Sequence, residues 1–341
     1  MVCIVILNWN GWGDTVECLE SVFRLEGEEF QVVVCDNGST DGSVERIRAW
    51  ADGSLPPVRT PEPLRDLTDP PVPKPIPCRE YGCDDIARLS DGTGESAPLV
   101  LIRTGENRGF AWGNNAGLRY AMKRRDLAYV WLLNNDTVVR RDALTAMVRQ
   151  MRRNRSAGIC GSKILSYREP DRVQSLGGCR FNRWLGISRH IGTGTAASSA
   201  VDQVRVLRRM AYVTGTSMLV SRPFLADVGL MDESHFLYYE EIDWTIRAKG
   251  RYSLAFAPDS IVYHKEGAST GTTRSRLADY HIIRSRLLLT RRHFPHALPT
   301  VYLGLVCMLL NRIRRSQWDR VALILRTAAG ASPRGPSQEN P

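Results

Sequence analysis

Tyr129-Val130-Trp131-Leu132-Leu133 is an apolar run of strand length that stops abruptly in Asn134-Asn135-Asp136. Aromatic and β-branched residues in a short block suit a buried strand, and the polar stop marks where the chain leaves the core. Three earlier blocks share the pattern: residues 3–7 lead into Asn8-Trp9-Asn10, 31–35 into Asp36-Asn37-Gly38, and 99–102 towards Gly105-Glu106-Asn107. Between them, residues 14–24, 43–50 and 111–122 carry helical spacing. Strand and helix in alternation predict an α/β fold, a mostly parallel sheet with helices on both faces. Ligands of such sheets bind beyond the carboxyl ends of the strands, so the polar stops are the first candidates for a site.

The chain has 341 residues, 43% hydrophobic and 24% charged, enough for one large or two smaller globular domains. No basic lead-in or small-residue cleavage site accompanies the apolar run after Met1, so a secretory signal is not expected and the chain reads as cytoplasmic. Eight scattered cysteines imply no disulfide framework, and Cys78 and Cys83 lack a second ligand pair nearby that zinc would need. Residues 51–98 hold ten of the eighteen prolines without sustained periodicity and read as a long, mobile surface insertion. From residue 158 apolar strands mix with glycine-rich turns; residues 238–249 look helical, as does everything from Asp279 on. The net charge of +10 is concentrated at the end, where twelve arginines from Arg274 onward face only Asp279, Asp319 and Glu339.

Several polar residues carry candidate chemistry, each with a plainer alternative. Asp136, at the mouth of the sheet, suits a hard divalent cation such as Mg or Mn, though Asn-Asn-Asp also makes a good turn or helix cap. Asp36 could accept a hydrogen bond from the imide NH of uracil or thymine or from a ribose hydroxyl; it could also simply cap the helix near Ser43. Glu240, Glu241 and Asp243 are candidate general bases. On a helix Glu240 and Asp243 share a face while Glu241 points elsewhere, and an acidic first turn also matches the helix dipole. His264 closes the run 260–263, where a histidine is either structural or a ligand.

In chain order, Ile6-Leu7-Asn8-Trp9-Asn10-Gly11, Val34-Cys35-Asp36-Asn37-Gly38-Ser39-Thr40-Asp41, Glu106-Asn107-Arg108-Gly109-Phe110-Ala111-Trp112-Gly113-Asn114-Asn115 and Leu132-Leu133-Asn134-Asn135-Asp136-Thr137 resemble the family 2 glycosyltransferases with the GT-A fold. The bacterial rhamnosyltransferase-like branch looks closest. The resemblance continues through 215–220, 236–247 and 258–264, and so covers most of 2–295 outside the proline-rich insertion. It implies inverting transfer of a hexose, rhamnose for that branch, from a TDP or UDP donor to a hydroxyl of a glycan or lipid-linked acceptor in cell-envelope polysaccharide synthesis. It also implies a divalent cation. By position, the base-binding aspartate falls on Asp36, and the metal-binding Asp-x-Asp on Asn134-Asn135-Asp136. Asp136 then carries the metal contact, with Asn134 near the donor. The catalytic carboxylate, commonly Asp after Glu, falls on Glu241 after Glu240, and a histidine that completes the metal shell in some members on His264. Asn8, Asn10, Asn107, Arg108, Asn114, Asn135 and Gly215 fall on the donor side, where Arg108 could meet the diphosphate and Gly215 lets backbone pass close to the sugar.

The expected organisation is a catalytic domain over 1–270, a basic amphipathic helical tail over 271–330 and a disordered end over 331–341. The catalytic domain divides into a donor half, 1–157, and an acceptor half, 158–270. The longest apolar stretch of the tail, about a dozen residues, is shorter than the ~20 that cross a bilayer. It fits a helix lying on the inner membrane surface with arginines on anionic head groups, or a helix packed on the catalytic domain or on a homodimer partner. No reader motif for nucleic acid is present. A sugar nucleotidyltransferase would want a basic glycine-rich loop after the first strand, and Asn8-Trp9-Asn10-Gly11 is not one; a dehydrogenase would want Gly-x-Gly-x-x-Gly there. A non-catalytic donor-binding scaffold is the remaining alternative.

Overall fold

The computed structural model describes residues 1–56, 58, 60–92, 97–265 and 276–330. The boundary expected at 270/271 and the end over 331–341 lie outside them. In chain order the elements are β1 (Val2–Asn8), α1 (Trp12–Val22), β2 (Phe30–Asp36), α2 (Ser43–Asp52), β3 (Cys78–Gly82), α3 (Cys83–Arg88), β4 (Leu99–Arg103), α4 (Phe110–Met122), β5 (Tyr129–Asn134), β6 (Thr137–Val139), α5 (Ala143–Arg153) and β7 (Ala157–Ser166). There follow β8 (Val173–Leu176), β9 (Gly178–Asn182), β10 (Ile187–His190), α6 (Gln203–Arg209), β11 (Tyr212–Val213), β12 (Ser217–Ser221), α7 (Arg222–Val228), α8 (Glu240–Arg247), β13 (Ser253–His264), α9 (Arg276–His293), α10 (Leu298–Arg314) and α11 (Trp318–Ala328).

The main sheet runs β3-β4-β2-β1-β5-β12-β7-β13-β6, with β8 paired to β7, and β10-β9-β11 form a small second sheet. β3, β4, β2, β1 and β5 are parallel to one another, Leu7 lying beside both Cys35 and Asn134. Both faces of this sheet are apolar, which is why its strands read as unbroken hydrophobic runs. Ile4, Ile6, Val32, Val34, Trp131 and Leu133 pack on one side with α1, α2 and α5. Their odd-even neighbours Cys3, Val5, Val33, Cys35, Val130 and Leu132 pack on the other, with α4, α7 and α8. From β1 the chain winds outward to β2 and β4, then returns to place β5 on the opposite side of β1. The carboxyl ends of β1 and β5 therefore flank a topological switch point, the usual place for a ligand crevice.

The proline-rich stretch is a correction to the sequence reading. Instead of a surface excursion, it lays Thr60, Leu64, Thr68, Val72 and Ile76 into the core and supplies β3 as the sheet edge beside β4. Two buried glutamates of α1 hold it. Glu20 accepts from the Trp50 indole at 2.7 Å, the Val72 N–H at 2.8 Å and the Lys74 ammonium at 2.9 Å, and Glu17 accepts from the Thr60 hydroxyl at 2.6 Å.

The tail also differs from expectation in part. The helical segment Pro295–Arg314 spans 20 residues, so by length and composition it could cross a membrane, and only 17% of it is buried. The arginine-rich α9, in contrast, is packed on the catalytic body: Leu289 joins Cys179, Tyr212 and Ile242 in one cluster. A separate small core of Ile283, Leu287, Val301, Leu305 and Ile324 binds α9, α10 and α11 together.

Candidate active site

At the switch point the polar strand ends are wired to one another. Asn8, fully buried, donates to Asp36 Oδ1 at 2.8 Å and to Ser39 Oγ at 3.1 Å, and accepts from the Thr15 hydroxyl at 2.7 Å. Asn135 donates to Thr15 Oγ1 at 3.0 Å, so one chain of bonds ties the ends of β1, β2 and β5. The Ser39 N–H donates to Asp36 Oδ2 at 3.1 Å, leaving further lone pairs on both carboxylate oxygens. Asn10, in the left-handed region at φ 48°, accepts from the Thr40 N–H at 2.8 Å and so fixes the loop after Asp36.

The segment expected on the donor side is built similarly. Asn37, which the sequence reading did not single out, donates to Asn107 Oδ1 at 2.9 Å and to the Gly109 carbonyl at 3.1 Å. Asn107 in turn accepts from the Gly109 N–H, and Asn114, 2% exposed, donates to the Phe110 carbonyl. These amides shape the crevice wall. Arg108 stays accessible, its guanidinium 4.2 Å from the centre of the Trp112 ring. Gly109, at φ 102°, admits the chain that leads into α8: a Cβ there would meet the Phe236 carbonyl oxygen at 2.2 Å, and the neighbouring Phe110 N–H donates to that oxygen at 2.8 Å.

Asp136 and His264 meet because β6 pairs with β13, setting Thr137 opposite His264. His264 Nε2 lies 3.2 Å from Asp136 Oδ1, and its Nδ1 is 2.9 Å from Gln174 Oε1 on β8. Burial pushes the Asp136 carboxyl up, but the His264 hydrogen bond and charge, with Lys265 behind, outweigh it and hold the group below the usual aspartate value. Lys265 is itself clamped by Asp14 and Glu17 of α1, while its N–H donates to the Asp136 carbonyl at 3.0 Å. The pair suits a divalent cation. Two ligands on one ion, each about 2.1 Å from it, sit roughly 3 Å apart, and an ion there would take the place of the Nε2 proton that meets Asp136 while Gln174 holds Nδ1.

α8 separates its three acidic residues. Glu240 is 2% exposed with Oε2 lacking any partner; burial, and secondly the Glu241 charge, push its carboxyl well above the ordinary range, so it stays protonated. Asp243 is fully buried, bonded by Arg247 at 2.8 Å and by His293 of α9 at 2.7 Å. Glu241 is half-buried, and its Oε1 accepts from the Gly215 N–H at 2.9 Å. A Cβ at 215 would lie 2.4 Å from that oxygen, so a larger residue there would displace the Glu241 carboxylate. The adjacent Thr216 carbonyl accepts from the Asn134 N–H at 3.0 Å, which brings Glu241 to the end of β5. Burial raises the Glu241 carboxyl and the backbone N–H bonds only partly offset it. Directly before α8, Tyr238 and Tyr239 both take left-handed φ values, 68° and 73°, a local strain of the kind that persists at functional sites.

Among the described residues, one group of three could hold a metal by spacing: Asp232, His235 and Asp243, with ligand atoms within 4.8 Å of one another. Burial keeps His235 neutral, and both its ring nitrogens lack partners. However, Arg292 already pairs with Asp232, and Arg247 and His293 occupy both oxygens of Asp243.

The family profile named Glycosyl transferase family 2 matches residues 3–62 and 86–212, more than half of the chain. The chain belongs to that family. This glycosyltransferase is 24% identical over 218 residues to the low-salt glycan biosynthesis hexosyltransferase Agl10 of Haloferax volcanii, covering 62% of this chain and 67% of the relative. Its fold is similar to that of the mannosyltransferase PcManGT from Pyrobaculum calidifontis, solved with GDP-Man and Mn2+ (TM-score 0.50, 16% identity, 96% of this chain and 86% of the other). It is also similar to GalNAc-T7, solved with UDP, GalNAc and Mn2+ (TM-score 0.51, 15% identity, 84% of this chain and 47% of the other). These likenesses make the glycosyltransferase fold GT-A, as the motif resemblance implied.

Proposed function

We propose that this glycosyltransferase passes a hexose from a nucleoside diphosphate donor to a hydroxyl of a glycan or glycolipid with inversion, Glu241 removing the acceptor proton. The observation that carries this is the placement of Glu241. Of the three carboxyls of α8 it alone is half-open, ionisable and at the end of β5, and burial brings its affinity for a proton closer to that of a working base. Asp36 receives the base or ribose, Asn8 and Ser39 hold that carboxylate, and Arg108 faces the diphosphate. Asp136 and His264, rather than the arginine-filled group at Asp243, would hold Mg or Mn, with Asn134 beside the donor. Such a cation supplies positive charge where the leaving diphosphate gains negative charge. Rhamnose on TDP or UDP is the donor favoured by the motif resemblance; the structural relatives solved with GDP-Man and with UDP make all three bases worth testing.

Thermal-shift measurement against UDP, TDP and GDP sugars, with and without Mn, tests the reading in wild type and Asp136→Ala. Stabilisation by one nucleotide class that requires Mn and is lost in the variant is expected. No nucleotide response at any Mn concentration would overturn it. A catalytically silent donor-binding scaffold is favoured by one observation, the neutral Asn134 in place of a carboxylate; donor binding with no turnover on any acceptor would establish it.

The same reading places the enzyme on the inner face of the cell membrane. Leu303, Val306 and Leu310 form one stripe along α10 and are 62%, 47% and 58% exposed, with the exposed Arg314 and Arg315 at its end. An apolar stripe bordered by arginines suits an anionic membrane surface. If the stripe instead joins two copies, a homodimer forms without lipid.

A further inference from the structure

Four side chains with metal-ligand atoms converge from three parts of the chain. Asp232 and His235 come from the loop before α8, Asp243 from α8 itself and His293 from the last turn of α9. One ligand atom each of Asp232, His235 and Asp243 lies within 4.8 Å of the others, and His293 Nε2 is 2.7 Å from Asp243 Oδ1. His235 and Asp243 are fully buried, whereas the Asp232 and His293 side chains keep 25% and 17% of their surface, which leaves a way in from solvent. Arg292 supplies the positive charge that these carboxylates need: its Nη1 bonds Asp232 Oδ2 and lies 3.9 Å from Asp243 Oδ1. It does not satisfy His235. Both ring nitrogens of that residue lack a partner among the described residues, although burial keeps the ring neutral and one nitrogen belongs to the converging set. A lone pair sealed from water and left bare is costly, so a cation that reaches the imidazole as well as the carboxylates answers what the arginine does not. Arg292 is itself 41% exposed and can withdraw into water.

We infer that Asp232, His235, Asp243 and His293 form a zinc site, separate from the cation position at Asp136 and His264, in which the ion displaces the Arg292 guanidinium and joins α8 to α9. Two imidazoles and two carboxylates are a zinc donor set. Mg and Mn, which suit oxygen ligands and retained water, gain little by expelling the guanidinium, whereas zinc gains two nitrogen ligands. Ligand atoms about 2.1 Å from a tetrahedral ion stand roughly 3.4 Å from one another. His293 and Asp243 must therefore part slightly and Asp232 and His235 draw in, movements within reach of side-chain rotation. The proton between His293 Nε2 and Asp243 leaves to solvent as the ion takes its place. Arg247 keeps its bond to Asp243 Oδ2 at 2.8 Å and holds the carboxylate in orientation. The assignment does not depend on the role proposed for Glu241.

Competitive titration of the full-length protein with Zn2+ against a chromophoric chelator tests it, in an Asp136→Ala background so that the crevice cation position does not report. One Zn2+ per chain is expected, with no displacement by excess Mg2+ and a rise in unfolding temperature on loading. Adding His235→Phe, which puts an apolar ring in the sealed position, should weaken binding at least tenfold and abolish the thermal shift. Adding Arg292→Ala instead, at an exposed position, should tighten binding at least tenfold, because the competing guanidinium is gone. Equal affinity with and without His235, displacement by Mg2+, or no tightening in Arg292→Ala would each overturn the assignment. So would the absence of saturable Zn2+ binding even after Arg292 is removed.

Discussion

Glu241 and Glu240 are sequence neighbours with opposite fates, and the difference is one of solvent and partners. Glu240 is sealed in, and its raised proton affinity keeps it neutral; Glu241 keeps one side open and one oxygen on the Gly215 N–H. Because the Glu241 carboxyl is raised, it loses its proton only above the ordinary value of 4.5. A base works deprotonated, so activity is low at acid pH and rises as pH passes through that raised value. The acid limb of a kcat profile should therefore lie above 4.5, and Glu240→Gln should leave its position and kcat within a few-fold of wild type; an acid limb that moves with Glu240→Gln would reassign the base. At the proposed cation site, Gln174 meets His264 Nδ1 at 2.9 Å, on the ring edge away from Asp136. Gln174→Ala should raise the Mn concentration for half-maximal activity about 10–100-fold at saturating donor with little change in kcat, and an unchanged Mn titration would show that His264 is held by other means. Asp36, Asp136 and His264 could be singled out as candidates from the sequence because each ends an apolar run. Gln174 and Asn37 could not, since their partners lie 90 and 70 residues away and nothing local marks them.

Among the elements, the strands with two apolar faces were the most legible. Residues 3–7, 31–35, 99–102 and 129–133 all lie within β1, β2, β4 and β5, because burial on both sides leaves no room for polar interruptions. β3 was hidden by its composition: Cys78-Arg79-Glu80-Tyr81-Gly82 is a half-exposed edge strand with charged residues, set in prolines that suggest a loop. The insertion's attachment was hidden too, for it depends on buried glutamates of α1 that the sequence alone would assign to a solvated face. Removing one member of a buried ion pair strands the other, and Glu20→Ala leaves Lys74, the Trp50 indole and the Val72 N–H without their acceptor. That variant should lose about 3–5 kcal/mol of stability by denaturant unfolding; a loss below about 1 kcal/mol, the scale of a surface pair, would mean that the insertion is not anchored through α1. α8 is likewise fastened to α9 through Asp243 and His293, so the first tail helix is a brace for α8 rather than an appendage.

Over the whole molecule, the basic end of the sequence serves two purposes. α9 packs on the body of the enzyme beside α8, and α10 with its neighbours presents apolar and arginine-rich surface outward from it. Leu303→Asp with Leu310→Asp should abolish sedimentation with anionic liposomes while nucleotide-dependent thermal stabilisation is retained, because both side chains are exposed and neither touches the crevice. Unchanged sedimentation would remove α10 from membrane contact. The central claim is that a half-buried carboxylate at the end of β5 drives sugar transfer. It is tested most directly by turnover of the matched donor and acceptor in Glu241→Gln, with donor binding followed in parallel. The account predicts a fall in kcat of about 10²–10⁴-fold, the contribution of a positioned general base, with donor affinity preserved. Wild-type turnover in Glu241→Gln would contradict it.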